Sequence, residues 1–479
     1  MELSSAWLEW LVLGAGHELM LFASVGILLI GLDDLLFDII WLATLRRSRK
    51  ATRHPRAMTA ECEGTLAIFL PAWREDAILP ATLQRMLTAW NGEDFRVYIG
   101  CYPNDAATLL AISSLVARDR RLRLVICAHD GPTTKGDNLN QMWAALGEDE
   151  RKEGRRFAAI ILHDAEDQVH DEELGLYRRH LGNCAMVQIP VVPIISRDSP
   201  WIGGHYGDEF AEAHGKEMAV RSRLGLPIPS AGVGCGLARN VVALMAIDRG
   251  GDPFRADSLT EDYEVGMLIA RYGLRARFIN VVGAMGERIV SRGSFPGNTE
   301  AAVRQKSRWI TGIALAGWDQ LGWASGVRRG QTACPATSIW AARWMLWRDR
   351  RAPLAALVLL AAYAALVVGG LGVAGQAWLG WRAAPMGDAM QLMLGFNALL
   401  LMWRLGIRGH FTAGWYGWRQ GMLAVPRAFV ANIIAILAAR RAVVQYWHML
   451  RSGRVVWDKT DHSPVDALPD ILLQRAALP

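Results

Sequence analysis

Cysteine is sparse in this chain: six residues in 479 (Cys62, Cys101, Cys127, Cys184, Cys235 and Cys334), with no CxxC pair and no His–Cys cluster. That argues against a zinc site or a disulfide framework and fits a reducing compartment. Charged residues are also few, 20% against 52% hydrophobic. A purely soluble protein is rarely so apolar, yet the mean hydropathy is only +0.15. A chain of two or three domains, part soluble and part membrane-embedded, accounts for both figures. Residues 64–320 hold no GxGxxG, and GxxxxGKS/T is absent throughout, so neither a dinucleotide cofactor nor a P-loop is supported. The net charge is +6, and the basic residues gather beside apolar segments. Attraction to a membrane surface explains that better than nucleic-acid binding.

Leu19 to Leu45 is an apolar stretch long enough for a transmembrane helix, interrupted by Asp33 and Asp34 with Asp38 one turn on. No small-residue cleavage site comes after it, so residues 1–45 are expected to be an anchor. Arg46, Arg47, Arg49, Lys50, Arg53 and Arg56 come next. They put the N-terminus outside (the periplasmic side) and the chain from residue 46 onward in the cytoplasm. The three acids either face a partner or lie near headgroups of a tilted helix.

From residue 64 the texture is that of a soluble α/β domain. Strand-like runs at Thr65–Leu70, Phe95–Cys101, Leu122–Cys127 and Ala158–Leu162 alternate with helix-like Ile78–Trp90, Ala106–Ala117 and Asn138–Leu146. Such alternation predicts βαβ units, a parallel sheet and a ligand crevice at the strands' carboxyl ends. Phe210 to Lys216 reads as a polar helix, and Ala276–Val282 as a strand. Gly232, Gly234 and Gly236 fit either a close ligand approach or a plain turn. Further on, residues 321–351 form an interfacial segment, and residues 352–406 hold two spans, Pro353–Ala374 and Met390–Leu405, with an external loop between them. Within 407–457, Gly421–Ala439 is expected to lie at the cytoplasmic interface, with a fourth span as the competing reading. Residues 458–479 are a tail.

Leu259-Thr260-Glu261-Asp262-Tyr263-Glu264-Val265-Gly266 places two acids at the start of an apolar helix, where the backbone dipole favours ionised carboxylates. Taken alone, Thr260 and Glu261 would simply cap that helix. Transfer of a sugar from a nucleotide diphosphate asks for more, and the chain has it. A hard cation on the leaving group needs carboxylates, and Asp164 with Glu166 or Asp167 comes directly after a buried strand. The acceptor hydroxyl needs a base, for which Asp262 is suited, with Glu261 beside it. Arg308 offers a bidentate cation for the leaving phosphate, and the Trp309 indole a floor for a sugar ring.

These stretches, with Gln305-Lys306-Ser307-Arg308-Trp309 downstream of Thr260-Glu261-Asp262, resemble the processive, membrane-integrated family 2 glycosyltransferases, among them cellulose, chitin and hyaluronan synthases. The resemblance covers roughly residues 64–320 plus the helix layout. Pro71-Ala72-Trp73-Arg74-Glu75, Tyr102-Pro103-Asn104-Asp105, His163 to Asp167, Gly203-Gly204-His205-Tyr206, Thr311-Gly312-Ile313 and Trp457-Asp458-Lys459-Thr460 are similar to the bacteriophage-adsorption protein B subgroup. The resemblance implies a Rossmann-like, GT-A type α/β nucleotide-sugar domain joined to transmembrane and interfacial α-helices. It assigns Pro71, Glu75 and Asp105 to the nucleobase and ribose, and Lys135 to the donor. Asp164 and Glu166 take the place of the metal-binding D-x-D, with Glu166 and Asp167 both open as the second ligand for Mg²⁺ or Mn²⁺. Asp262 matches the base, and Gln305, Arg308 and Trp309 the donor and acceptor clamp. Gly232, Gly234 and Cys235 fall along the acceptor. It further implies a UDP-sugar donor, a glycan acceptor, a bacterial inner-membrane setting, and inverting transfer in exopolysaccharide synthesis. An outer-membrane, repeat-rich export partner and a cyclic di-GMP-responsive regulator belong to the same expectation, although the chain is too short for the subgroup's own cyclic di-GMP domain. A scaffold or phage-receptor role without chemistry is the alternative.

Overall fold

The computed structural model describes residues 2–51, 61–323 and 339–453. Arg53, Arg56, Cys334, residues 324–338 of the interfacial segment, the Trp457–Thr460 stretch and the tail lie outside the described residues.

A single 50-residue helix, α1 (Glu2–Ala51), opens the chain. Four parallel strands come next, β1 (Leu66–Pro71), β2 (Phe95–Cys101), β3 (Leu122–Ile126) and β4 (Ala159–Leu162). Helices α2 (Leu79–Ala89), α3 (Ala106–Arg118) and α4 (Lys135–Glu153) connect them. These bounds fall within a few residues of the sequence expectation, because a short apolar run and a helix's periodicity are local properties. Within β1, Leu66, Ile68 and Leu70 pack toward α2, while Ala67 and Phe69 pack toward α4 on the other face. Both faces are covered, so the strands read as continuous apolar runs.

The second half adds α5 (Glu173–Leu181), β5 (Met186–Gln188), β6 (Val191–Ile194), α6 (Ile202–Glu212), α7 (Met218–Leu224), β7 (Cys235–Ala238), α8 (Arg239–Asp248), α9 (Glu261–Arg271), β8 (Ala276–Phe278), β9 (Ser291–Ser294) and α10 (Thr299–Trp309). The seven-stranded sheet runs β3-β2-β1-β4-β7-β5-β8. It is mixed rather than parallel, since β7 lies antiparallel to both β4 and β5. A four-residue buried strand carries no directional signal in its sequence, so the expectation of a parallel sheet fails there. Strands β6 and β9 pair separately, beside the cleft.

After α10 a wide-turn segment (Ile310–Ala316) leads through α11 (Gly317–Leu321) to α12 (Ile339–Arg350), α13 (Ala352–Leu379), α14 (Asp388–Tyr416) and α15 (Trp418–Ser452). By length and composition α1, α13, α14 and α15 are each able to cross a membrane. The acids of α1 have partners. Asp33 and Asp34 pair with Arg348 and Arg351, the Arg351 contacts being 2.5 Å each. Asp38 takes Lys216 at 2.6 Å and the Trp403 indole N–H at 2.9 Å. Of the two readings left open for these acids, the geometry is that of facing partners, which is what burial of a carboxylate demands. α15 is continuous through Pro426 and longer than the expected 421–439 segment.

Candidate active site

The carboxyl ends of β1 and β4, the start of α4, the start of α9 and the end of α10 surround one cleft. Strand ends deliver side chains here because a parallel β-strand must exit into a loop before its helix begins, leaving backbone and polar groups unsatisfied by the sheet. Pro71, Glu75, Lys135, Asp164, Glu166, Asp167, Glu261, Asp262, Gln305, Arg308 and Trp309 all line it. The structure thus gathers positions far apart in the chain.

Lys135 is the hub. Its Nζ lies 2.5 Å from Asp164 Oδ1 and 3.2 Å from the carbonyl oxygen of Gly232. Burial opposes its charge, but Asp164 and Glu261 outweigh it and hold the ammonium protonated. Asp167 is turned the other way. Its Oδ2 meets His163 Nδ1 at 2.8 Å and accepts from the Asp164 amide at 3.2 Å. His163 Nε2 in turn contacts Glu173 Oε1 at 3.0 Å, and Tyr177 donates to the same oxygen. Burial disfavours the imidazolium, yet Glu173 and Asp167 raise the His163 pKa to about 10, so the buried ring is a fixed cation behind the acid loop. Glu166 is pushed well above the carboxylate range, first by burial and then by the charges of Asp164, Asp167 and Glu75.

Asp262 sits in the first turn of α9, its Oδ1 accepting from the Tyr263 amide at 2.7 Å. Thr260 occupies the N-cap position but makes no side-chain cap bond. It packs instead against Gly312, where any Cβ would overlap its hydroxyl. Thr260 therefore does not cap the helix through its side chain, and the first-turn amide of Tyr263 is bonded by Asp262 instead. Burial raises the pKa of Glu261, to about 7, and that of Asp262; Asp262's charge adds to the first, and Lys135 opposes both. Gly232, at φ +77°, lies so close that an added Cβ would stand 2.7 Å from Asp262 Oδ2. On α10, Gln305 is buried, and its Oε1 has no hydrogen-bond partner among the described residues. The Trp309 ring stands edge-on to Tyr206 at 6.0 Å and tilted to Phe210 at 6.3 Å.

Four expected site residues are not on the cleft wall: Gly232, just placed behind Asp262, and Asp105, Cys235 and Gly234. Asp105 caps α3 through the Thr108 amide and accepts from the Arg74 amide at 2.6 Å. It braces the Pro71–Glu75 loop, because a buried acid facing two N–H groups is spent on them. Cys235 is a fully buried β7 residue, paired with Leu162 and Gln188. Gly234 packs under Ile189 and Ser291. Their neighbours Ala231 and Val233 line the cleft instead. Sequence reasoning also gave no role to Trp73 and Tyr102, a T-shaped pair at 5.3 Å, or to Val191, Phe210 and Phe295, which make an apolar end. Trp73 and Tyr102 come directly after strands β1 and β2, which was a usable signal. The other three come from the β6–β9 layer and α6, which no local pattern announces.

Among the described residues no three His, Cys, Asp or Glu side chains are arranged to hold a metal alone. The crowding of Glu166 by other carboxylates nevertheless fits a divalent cation that keeps open positions for phosphate oxygens.

Residues 159–375 match the sequence model of the glycosyl transferase family group 2. That stretch supplies Asp164, Glu166, Asp167, Glu261, Asp262, Gln305, Arg308 and Trp309 to the cleft, so the similarity to a glycosyltransferase family falls on the site itself. The chain is also related to the bacteriophage adsorption protein B sequences. It is 32% identical over 459 residues to bacteriophage adsorption protein B of Escherichia coli strain K12 and to bacteriophage N4 adsorption protein B of Escherichia coli O157:H7. The match covers 90% of this chain and 60% of the length of each curated relative. Among solved structures, the mannosyltransferase PcManGT from Pyrobaculum calidifontis, in complex with GDP-Man and Mn²⁺, is 15% identical with a TM-score of 0.48, over 90% of this chain and 99% of that one. Glucosyl-3-phosphoglycerate synthase from Mycobacterium tuberculosis, in complex with Mn²⁺, UDP and glucosyl-3-phosphoglycerate, is 14% identical with a TM-score of 0.30, over 50% and 76%.

Proposed function

We propose that this protein is an inner-membrane, inverting glycosyltransferase that moves a sugar from a UDP-sugar onto a growing glycan presented at the cytoplasmic face. The observation that carries this reading is the convergence of Lys135, Asp164, Glu166, Asp262, Arg308 and Trp309 on one cleft. Asp164 and Glu166 would hold Mg²⁺ or Mn²⁺, which supplies charge neutralisation to the diphosphate leaving group. Asp167, engaged with His163, supports that pair from behind. Trp73 and Tyr102 offer the donor's base an aromatic wall, and Lys135 and Arg308 face its phosphates with cations. Asp262 takes the acceptor hydroxyl's proton as that oxygen attacks the anomeric carbon, and the nucleoside diphosphate leaves from the opposite face. With one base and no second carboxylate acting as nucleophile, the configuration inverts. The apolar end at Val191, Phe210, Phe295 and Trp309 suits the apolar face of a sugar ring.

α15 lies on the catalytic domain in this reading. Arg427 pairs with Asp208 at 3.1 Å, and Ile434 and Val430 pack with Tyr206 and Ala302. A third of its most apolar window is buried in the protein, against 11–17% for the other three long helices. Its opposite side exposes Met422, Phe429, Ile433 and Trp447 to lipid.

The test is to offer the protein, in lipid nanodiscs, a panel of nucleotide-sugars with and without Mn²⁺ and to weigh the products. Transfer from one UDP-sugar, lost on chelation and giving the inverted linkage, is expected. Donor binding with no product from any of them would turn the reading toward a scaffold.

A further inference from the structure

Within Gln305-Lys306-Ser307-Arg308-Trp309, Lys306 and Ser307 are not on the cleft wall, and each is fastened to a different helix. Lys306 Nζ takes both carboxylate oxygens of Glu209 on α6, at 2.6 and 2.7 Å. Ser307, fully buried, donates from its hydroxyl to Gln445 Oε1 on α15 at 2.7 Å. Residues 305, 308 and 309 meanwhile line the cleft. One turn of α10 therefore holds donor and acceptor contacts on one face and two anchors on the other.

The anchor on α15 is no isolated contact. Arg427, Ala431, Ile434, Ala438 and Ala442 are buried, at steps of three and four residues, and Gln445 falls next in that series. That is the spacing of one helix face. It runs from Asp208 of α6 to Ser307 of α10. Small residues at 431, 438 and 442 let the helix approach closely enough for a glutamine side chain to reach a buried serine. A buried hydroxyl that lost its acceptor would carry the cost of an unsatisfied polar group, so Ser307 and Gln445 hold α10 and α15 in one register.

We propose that Gln445 is a positioning residue for sugar transfer: through Ser307 it sets α10 so that Arg308 and Trp309 face the reacting groups, which makes the outer helix α15 a working part of the active site. The assignment rests on the sugar-transfer reading of the cleft, and it implies that loss of Gln445 weakens transfer more than donor binding, which Lys135 and the loops after β1 and β4 also hold.

The experiment compares full-length wild type, Gln445→Leu, Gln445→Glu, Ser307→Ala and the Ser307→Ala/Gln445→Leu double variant, all in nanodiscs. Gln445→Leu removes the acceptor, whereas Gln445→Glu keeps an oxygen that accepts from Ser307. Three quantities are read: kcat, donor affinity by calorimetry, and hydrogen–deuterium exchange of the peptide covering residues 299–316. The expected result is a kcat about five- to tenfold lower for Gln445→Leu, the size of one lost hydrogen bond. Donor affinity falls by less than kcat does, exchange in 299–316 is faster, Gln445→Glu behaves as wild type, and the double variant is no worse than either single one. Unchanged kcat and exchange in Gln445→Leu would overturn the assignment. So would a parallel loss of donor affinity and melting temperature, or failure of Gln445→Glu to restore the wild-type values. If wild type transfers no sugar while exchange still responds to Gln445→Leu and not to Gln445→Glu, the coupling stands and only the sugar-transfer reading falls.

Discussion

Lys135 Nζ lies 2.5 Å from Asp164 Oδ1 and 3.2 Å from the Gly232 carbonyl oxygen, so one ammonium ties the loop after β4 to the loop before β7. Both loops face the proposed donor site. Lys135→Met should leave Asp164 and Glu261 crowded without their cation and loosen both loops. Affinity for the donor in the presence of Mn²⁺ should fall by at least about tenfold, the scale of a lost hydrogen bond to a charged group. Calorimetric titration with UDP-sugar checks it; unchanged affinity would remove Lys135 from the donor site.

Asp262 acts only when ionised, and burial lifts its pKa and that of Glu261 above the ordinary carboxylate range. Transfer should therefore be full at alkaline pH and fall as pH drops through those raised values, well before an exposed aspartate would titrate. Asp262→Asn should lower kcat by at least about a hundredfold while leaving folding and UDP binding near wild type. A profile that falls only where an exposed aspartate titrates, at about pH 4, or an active Asn variant, would assign the base elsewhere.

Gly232→Ala meets two obstacles, a positive φ and an oxygen of Asp262 2.7 Å from the new Cβ. The backbone penalty is about 1 kcal/mol, and Asp262 must move to relieve the contact. The expected outcome is a modest drop in thermal stability with a disproportionate loss of kcat, measured on the same preparation. Equal small losses in both would mean that Gly232 serves the turn and not the acid.

Asp38 and Lys216 are both about 1% exposed, and Lys216 shares Glu212 with Arg404 and Arg408. Asp38→Asn removes one of the three acids, with Glu212 and Asp34, that serve those three cations. The expected cost is about 2 kcal/mol or more, read as a lower unfolding midpoint in detergent. An unchanged midpoint would show that this ion-pair cluster does not fasten α1 to the catalytic domain.

Strands and helices up to residue 162 are legible in the chain alone, because alternation, strand length and helix periodicity are set by nearest neighbours along it. The identity of the polar groups after β1, β4 and at the start of α9 is legible too, since the chemistry of a carboxylate or an indole does not depend on knowing its neighbours in space. Packing assigned those groups their tasks. Asp105, Cys235 and Gly234 carry the expected types at the expected places, yet the fold directs them into a brace, a strand core and a turn. Asp167 and Glu166 are adjacent and chemically alike, and it is the position of His163 in the fold that turns Asp167 inward as its partner. The antiparallel course of β7, the partners of Asp33, Asp34 and Asp38, and the bond from Ser307 to Gln445 all join residues distant in sequence. No local pattern encodes such pairings, because their free energy exists only once the chain has folded.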